Sequence, residues 1–254
     1  MELGQGVGAD IVNYAFNTIY NCFARTAAFS PNGADTKIRF RLAEYDPNGR
    51  KMEEKGINRY SLSTSDLNNL NPEKIKNNPK ICWDYKRYLN IWIVENMGNS
   101  VSTPHYILNT ADLNQIQGVS FEQLSLEEIE KQEYSLTDIG LIYGARDFAI
   151  EDVGYPTQMG KFFGLLDTEN QKEDYCEDTF AYNTYKEPWN TALEGSNSRL
   201  KISTDGLIFY SVNIMDASSY KNTISMDQVK RIRTITDNCP HRWAWKSDWA
   251  FTGK

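Results

Sequence analysis

The residues able to do chemistry are few. Two histidines, His105 and His241, stand among 254 residues, so a three-histidine metal site is arithmetically excluded. The four cysteines, Cys22, Cys82, Cys176 and Cys239, form no Cys-x-x-Cys pair. That removes zinc-ribbon and thioredoxin signatures and leaves zero, one or two disulfides open. Neither Gly-x-Ser-x-Gly, a P-loop nor Gly-x-Gly-x-x-Gly occurs, and a Ser-His-Asp triad would have to recruit one of the two histidines. Acids are plentiful, so a glycosidase-type carboxylate pair stays open. One compact polar constellation remains, on Tyr155-Pro-Thr-Gln-Met-Gly-Lys-Phe-Phe-Gly-Leu-Leu-Asp-Thr168. It offers a hydroxyl, an amide, an amine and a carboxylate from Thr157, Gln158, Lys161 and Asp167, with Gly164 before the last.

The elements that must position these groups follow from periodicity. Residues 157–163 have a helical pattern that Gly164 stops. Val12, Ala15, Phe16, Ile19, Tyr20 and Phe23 share one stripe of an amphipathic first helix. Lys37 to Ala43 alternates, predicting a half-buried strand with Ile38, Phe40 and Leu42 inward, and Asp46-Pro-Asn-Gly49 predicts a turn after it. Tyr88 to Val94 is apolar at nearly every position, as in a strand covered on both faces. Ile139 to Tyr143 predicts another. Ser225 caps a last helix carrying Met226, Val229 and Ile232, and the aromatic tail from Trp243 to Trp249 is expected to pack back on the body.

Surface insertions are expected at 61–80, 109–138 and 184–206. The second is acidic, with Glu122, Glu127, Glu128, Glu130, Glu133 and Asp138 against Lys131, and Ser125 with Glu128 forms a capping-box pattern. No internal repeat is visible, and a single α/β domain with one mixed sheet accounts for the element order. Hydrophobic residues at 40% and charged residues at 24% are a globular balance. A net charge of −7 speaks against nucleic-acid partners. No apolar run reaches transmembrane length. The opening Met-Glu-Leu-Gly-Gln-Gly has no signal-peptide pattern, and whether Met1 replaces a removed export segment stays open.

The 155–168 stretch resembles the active-site helix of the metzincin zinc peptidases, in particular the pappalysin family, with its motif His-Glu-x-Gly-His-x-x-Gly-Leu-x-His-Thr. Without a gap, the three histidines fall at Thr157, Lys161 and Asp167, the glutamate at Gln158 and the turn glycine at Gly164. Other landmarks come in the family's order. Ile38 to Gly49 with Gly56-Ile-Asn-Arg59, and Tyr88 to Ile93, are similar to its first two strands. Asp174-Tyr-Cys-Glu-Asp-Thr179 resembles the acidic segment after the zinc helix. Asn213-Ile-Met-Asp216 resembles the Met-turn, with Met215 beneath the metal position. The ending, Cys239-Pro-His-Arg and Lys246 to Lys254, is similar to a bacterial surface-lipoprotein branch.

What the resemblance implies is a metzincin-like α/β (α+β) zincin domain with a twisted mixed sheet, an active-site-type helix, a Met-turn and a C-terminal helix. The departures bear on activity. Threonine is a weak neutral ligand, protonated lysine has no lone pair, and one carboxylate is not a tetrahedral site. Gln158 keeps the glutamate's shape and cannot take a proton from water. The expectation is a pseudopeptidase with no catalytic residue and no zinc, in which Lys161 reaches across the Gly164 turn to pair with Asp167. Calcium at Asp174, Glu177 and Asp178 is the lesser alternative to a solvated acidic loop. His105 and His241 are expected to be structural or exposed.

Two functions follow. The first is a non-catalytic module of the cell envelope or exterior, with a lipid anchor left open, that binds a peptide or protein in the old substrate cleft or serves structurally. The second is an active zinc metallopeptidase, or another hydrolase, with a non-standard site.

Overall fold

The computed structural model describes residues 7–27, 33–61, 75–95, 106–109, 116–149, 154–169, 173–182, 200–217, 221–248 and 250. Helix α1, Ala9–Phe23, buries Ala15, Ile19 and Phe23 of the predicted stripe together with Cys22, and leaves Val12, Phe16 and Tyr20 half-buried. Asp10 in its first turn faces the positive end of the helix dipole. Strand β1, Asn90–Val94, is followed by β2, Tyr106–Leu108, and β3, Phe121–Gln123. Short helices α2, Leu126–Lys131, and α3, Leu136–Ile139, lead into β4, Gly140–Gly144. Helices α4, Ala145–Ala149, and α5, Tyr155–Phe162, precede the hairpin β5, Leu200–Ile202, and β6, Ile208–Tyr210. Helix α6, Met226–Asn238, runs into a 3-10 segment, Pro240–Lys246.

The described strands form three small ladders in place of one continuous sheet. β1 pairs parallel with β4, β2 parallel with β3, and β5 antiparallel with β6. β1 is not covered on both faces as expected, because Ile91 is 40% exposed while Trp92 is buried. The 37–43 segment keeps its predicted facing, with Lys37, Arg39 and Arg41 exposed and Ile38, Phe40 and Leu42 turned inward, but it makes no strand ladder. Side-chain alternation reports which face is buried and says nothing about a partner for the backbone. The 46–49 turn forms as predicted: Asp46 accepts the amides of Asn48 and Arg50, and Gly49 takes φ 78°.

The main core joins Ile19 and Phe23 of α1, Leu141 and Tyr143 of β4, Met159 and Phe162 of α5, Ile214 and Met215, and Ile232 of α6. Around 109–138 Glu122, Glu127, Glu128, Glu130 and Glu133 are exposed as expected, and the Ser125–Glu128 capping box is complete. The same stretch also supplies buried Ile116, Ile129, Leu136 and Asp138. Residues 62–74 and 184–199 of the other two expected insertions lie outside the described residues. The remainder of the third holds β5 and the turn into β6.

On α6, Met226 is 62% exposed and Ile232 is fully buried. Met226 is the first helical residue after the Ser225 cap, off the inward stripe that Ile232 and Ile235 define. The tail is anchored by its polar residues. Buried Arg242 donates to the carbonyls of Phe162 and Asp138 and stacks over the Phe162 ring at 4.2 Å, whereas Trp245 stays exposed. Trp249 lies outside the described residues. No described helix is long and apolar enough to cross a membrane.

Candidate functional site

Helix α5 starts at Gly154, whose φ of 62° is left-handed, and carries Pro156 in its first turn, where no intrahelical N–H partner is needed. It ends by the turn expected at Gly164, which adopts φ 91°. A β-carbon there would lie 2.5 Å from Ile235 Cγ1, so the loop passes against α6 only because residue 164 has no side chain. Buried Arg231 of α6 holds the Gly164 carbonyl at 2.6 Å.

Thr157 is buried and fully engaged. Its hydroxyl donates to the Ile214 carbonyl at 2.5 Å and accepts the Lys221 ammonium at 2.8 Å. Lys221 is in turn seated by its own carbonyl, which accepts the Cys22 thiol at 3.1 Å. Lys221 lies in the stretch between the 213–216 turn and α6. No spacing in the sequence marked it, since its partner is 64 residues away.

One helical turn past Thr157, the Lys161 ammonium sits 3.0 Å from the Asp167 carboxylate. Both side chains are about one-quarter exposed, at 28% and 26%. The pair expected across the Gly164 turn therefore forms. Between Thr157 and Lys161, Gln158 buries its carbonyl oxygen with no hydrogen-bond partner.

The 213–216 turn packs under this helix. Met215 is buried, and a β-carbon on Gly160 would come within 2.8 Å of its sulfur, so glycine sets the approach of helix to turn. The Asn213 side chain holds the Met215 amide at 2.9 Å and exchanges two amide bonds with Gln228 of α6. Asp216 accepts from Thr168, Ser211 and the Asn213 amide. Burial pushes the Asp216 carboxyl above the usual range, and the two hydroxyls draw it back. Thr168 thus ties the residue after Asp167 to the turn. Sequence reasoning missed Gly160, Lys221, Thr168 and Asp216 as members of this network.

The acidic loop uses its carboxylates as acceptors. Asp174 takes the Thr179 hydroxyl and the Cys176 amide. Asp178 takes the Ser225 hydroxyl and the Asp227 amide, capping α6. Among the described residues, no group of three His, Cys, Asp or Glu is placed to hold a metal ion. All four cysteines are free thiols, and burial pushes Cys22 and Cys176 up to about 12. His241 is buried between the Tyr85 and Tyr134 rings, at centroid distances of 5.1 and 5.5 Å, and is structural in position. His105 lies outside the described residues.

The donors at the motif positions do not suit zinc. The Thr157 hydroxyl is consumed by a carbonyl and an ammonium, Lys161 offers hydrogens rather than a lone pair, and Asp167 is neutralised by Lys161.

No protein-family model and no curated protein sequence matches the chain. Solved structures do. Tannerella forsythia mature mirolysin in complex with a cleaved peptide is 16% identical, with 97% of this chain and 91% of that chain covered and a TM-score of 0.55. Mirolysin in complex with a small compound is 15% identical over 95% and 91%, with a TM-score of 0.51. A promirolysin point mutant from T. forsythia is 17% identical over 94% and 78%, also at 0.51. The chain therefore has a mixed α/β fold similar to that of mirolysin.

Proposed function

We propose that this chain is a catalytically inactive metzincin-like domain, a pseudopeptidase that holds a peptide or protein segment in the cleft beside α5 without cutting it. The observation that carries the reading is the occupation of the motif positions by hydrogen bonds and an ion pair. Thr157 is bound to Ile214 and Lys221, and Lys161 to Asp167. Gln158 stands where the resemblance requires a general base, and an amide cannot fill that role. The mirolysin complex with a cleaved peptide supports a peptide as the ligand of this fold's cleft. No zinc is required on this reading, and the acidic loop acts as a helix cap rather than a calcium site. The sequence resemblance to the lipoprotein branch of the pappalysins supports a place outside the cell or on its envelope, as one domain over 1–254.

The test is elemental analysis of the purified protein, together with a broad peptide-cleavage assay run with chelator and with added zinc. The expected result is no bound zinc and no cleavage in either condition. Stoichiometric zinc with chelator-sensitive cleavage would overturn the proposal in favour of a hydrolase with a non-standard site.

A further inference from the structure

The 3-10 segment after α6 bears on the motif helix through two adjacent residues. Buried Arg242 donates its Nε to the Phe162 carbonyl at 3.2 Å and lies over the Tyr106 ring at 5.0 Å. Tyr106 in turn gives its hydroxyl to the Lys161 carbonyl. Two carbonyls at the end of α5 are thus held from outside the helix, with a cation at its negative pole. Beside Arg242, His241 is closed between the Tyr85 and Tyr134 rings at 2% exposure, and neither of its nitrogens is hydrogen-bonded. The groups that face it come from three places. Tyr85 and Lys86 precede β1, with Cys82 and Asp84 close to the tyrosines. Tyr134 and Asp138 come from the stretch around α3, with Glu130 of α2 acting on Tyr85 and Lys76 over the Tyr134 ring at 4.7 Å. Arg242 is on the histidine's own segment. Burial, then Arg242 and Lys86, keeps the imidazole neutral down to about 4, from an ordinary 6.5, and Asp138 opposes them. An imidazolium would carry two N–H donors into a slot where neither nitrogen meets an acceptor and solvent is shut out.

We propose that His241 is the pin of an acid-released latch: on protonation it leaves the tyrosine slot, carries Pro240–Lys246 with it and takes Arg242 off the end of α5. Three features let the segment leave while the body stays folded. Tyr85 and Tyr134 pack with Ile75, Trp92, Leu136 and Ile139 in a cluster separate from the main core. Cys239 joins the segment to α6 with extended backbone, at φ −104° and ψ 103°, so no helix has to break. Trp245 and Lys246 at its far end are already exposed. Once Arg242 is gone, α5 frays from its C-terminal end, where Lys161 stands. The device does not depend on what the cleft binds.

The experiment is native-state hydrogen exchange of the full chain from about pH 7 to about pH 4.5, corrected for intrinsic exchange rates and repeated with small additions of urea. Residues 240–246 and the end of α5 should share one opening that is easier than that of α1 and indifferent to urea. That opening should grow about tenfold per pH unit below 6.5, because the released ring titrates normally. His241→Phe should keep 240–246 protected at neutral pH and flatten the pH dependence. Nuclear magnetic resonance of the wild-type imidazole gives a reading that needs no variant: the ring should take up its proton only as 240–246 loses protection. Titration near 6.5 with that segment still protected would overturn the latch. So would protection equal to that of α1 and falling with urea in step, which is global unfolding. A segment that opens while the end of α5 stays protected, or an unchanged pH dependence in His241→Phe, would overturn it as well.

Discussion

The Lys161 ammonium lies 3.0 Å from the Asp167 carboxylate, across a turn that residue 164 makes in the left-handed region. The two groups join the helix to the loop that follows it, and Thr168 passes that connection on to Asp216 and the 213–216 turn. Thr157 closes the circuit from the other end of the helix through Ile214. A ring of hydrogen bonds and one ion pair thus joins α5, the loop after it and the 213–216 turn.

The ion pair itself is expected to contribute little. Both partners are about one-quarter exposed, so solvent screens the attraction, and Asp167→Asn should cost on the order of 0.5–1 kcal/mol. Urea unfolding of the two single variants and the Lys161→Met/Asp167→Asn double variant measures the coupling. A coupling of several kcal/mol would show a pair far drier than its exposure indicates.

Thr157→Val should cost more than either ion-pair variant, roughly 1–3 kcal/mol. It strips a buried acceptor, the Ile214 carbonyl, of its donor and takes the Lys221 ammonium's oxygen away. Chemical denaturation at neutral pH checks this. Thr157→Ser keeps the hydroxyl and should recover most of the loss.

Gly164→Ala should be among the most damaging single-methyl changes in the protein. The residue sits at φ 91° and the added carbon would meet Ile235 2.5 Å away, so strain and overlap together should exceed about 2 kcal/mol. Gly49, at φ 78° with open space around it, isolates the backbone part. Gly49→Ala should therefore cost less in the same thermal melt.

Acid should loosen the protein through His241. Burial and the neighbouring Arg242 hold this imidazole down to about 4, from an ordinary value of 6.5. Asp138 opposes them, Lys86 adds a further positive charge, and both ring nitrogens lack partners. The folded state binds fewer protons than the unfolded one between those two values. Stability from this residue is thus present above pH 6.5 and lost as pH falls toward about 4, by up to roughly 3 kcal/mol. Denaturation midpoints across that range, compared with His241→Phe, isolate the effect. An unchanged slope in the variant would refute it.

Chelators and zinc should leave the thermal midpoint unmoved, to within about 1 °C, because a ligand that does not bind the folded state cannot shift its stability. A dose-dependent rise with zinc would count against the proposed function.

Residue identity alone determined a good part of this. The stripe on α1, the turn at Asp46 to Gly49, the capping boxes at Ser125 and Ser225, and the end of α5 at Gly164 all formed as local chemistry dictates. These rest on contacts within a few residues, which periodicity and capping rules capture. The Lys161–Asp167 pair was legible for the same reason, being six positions apart across one turn. Tertiary structure alone decided the rest. It brought Lys221 onto Thr157 from 64 residues away, set Asp216 beneath Thr168, and buried His241 between two tyrosines. It also left the alternating 37–43 segment without a ladder and split the strands into three pairs. The physical reason is common to all of these: a side chain's type fixes what it is able to bond, while its partner depends on which distant segments pack against it.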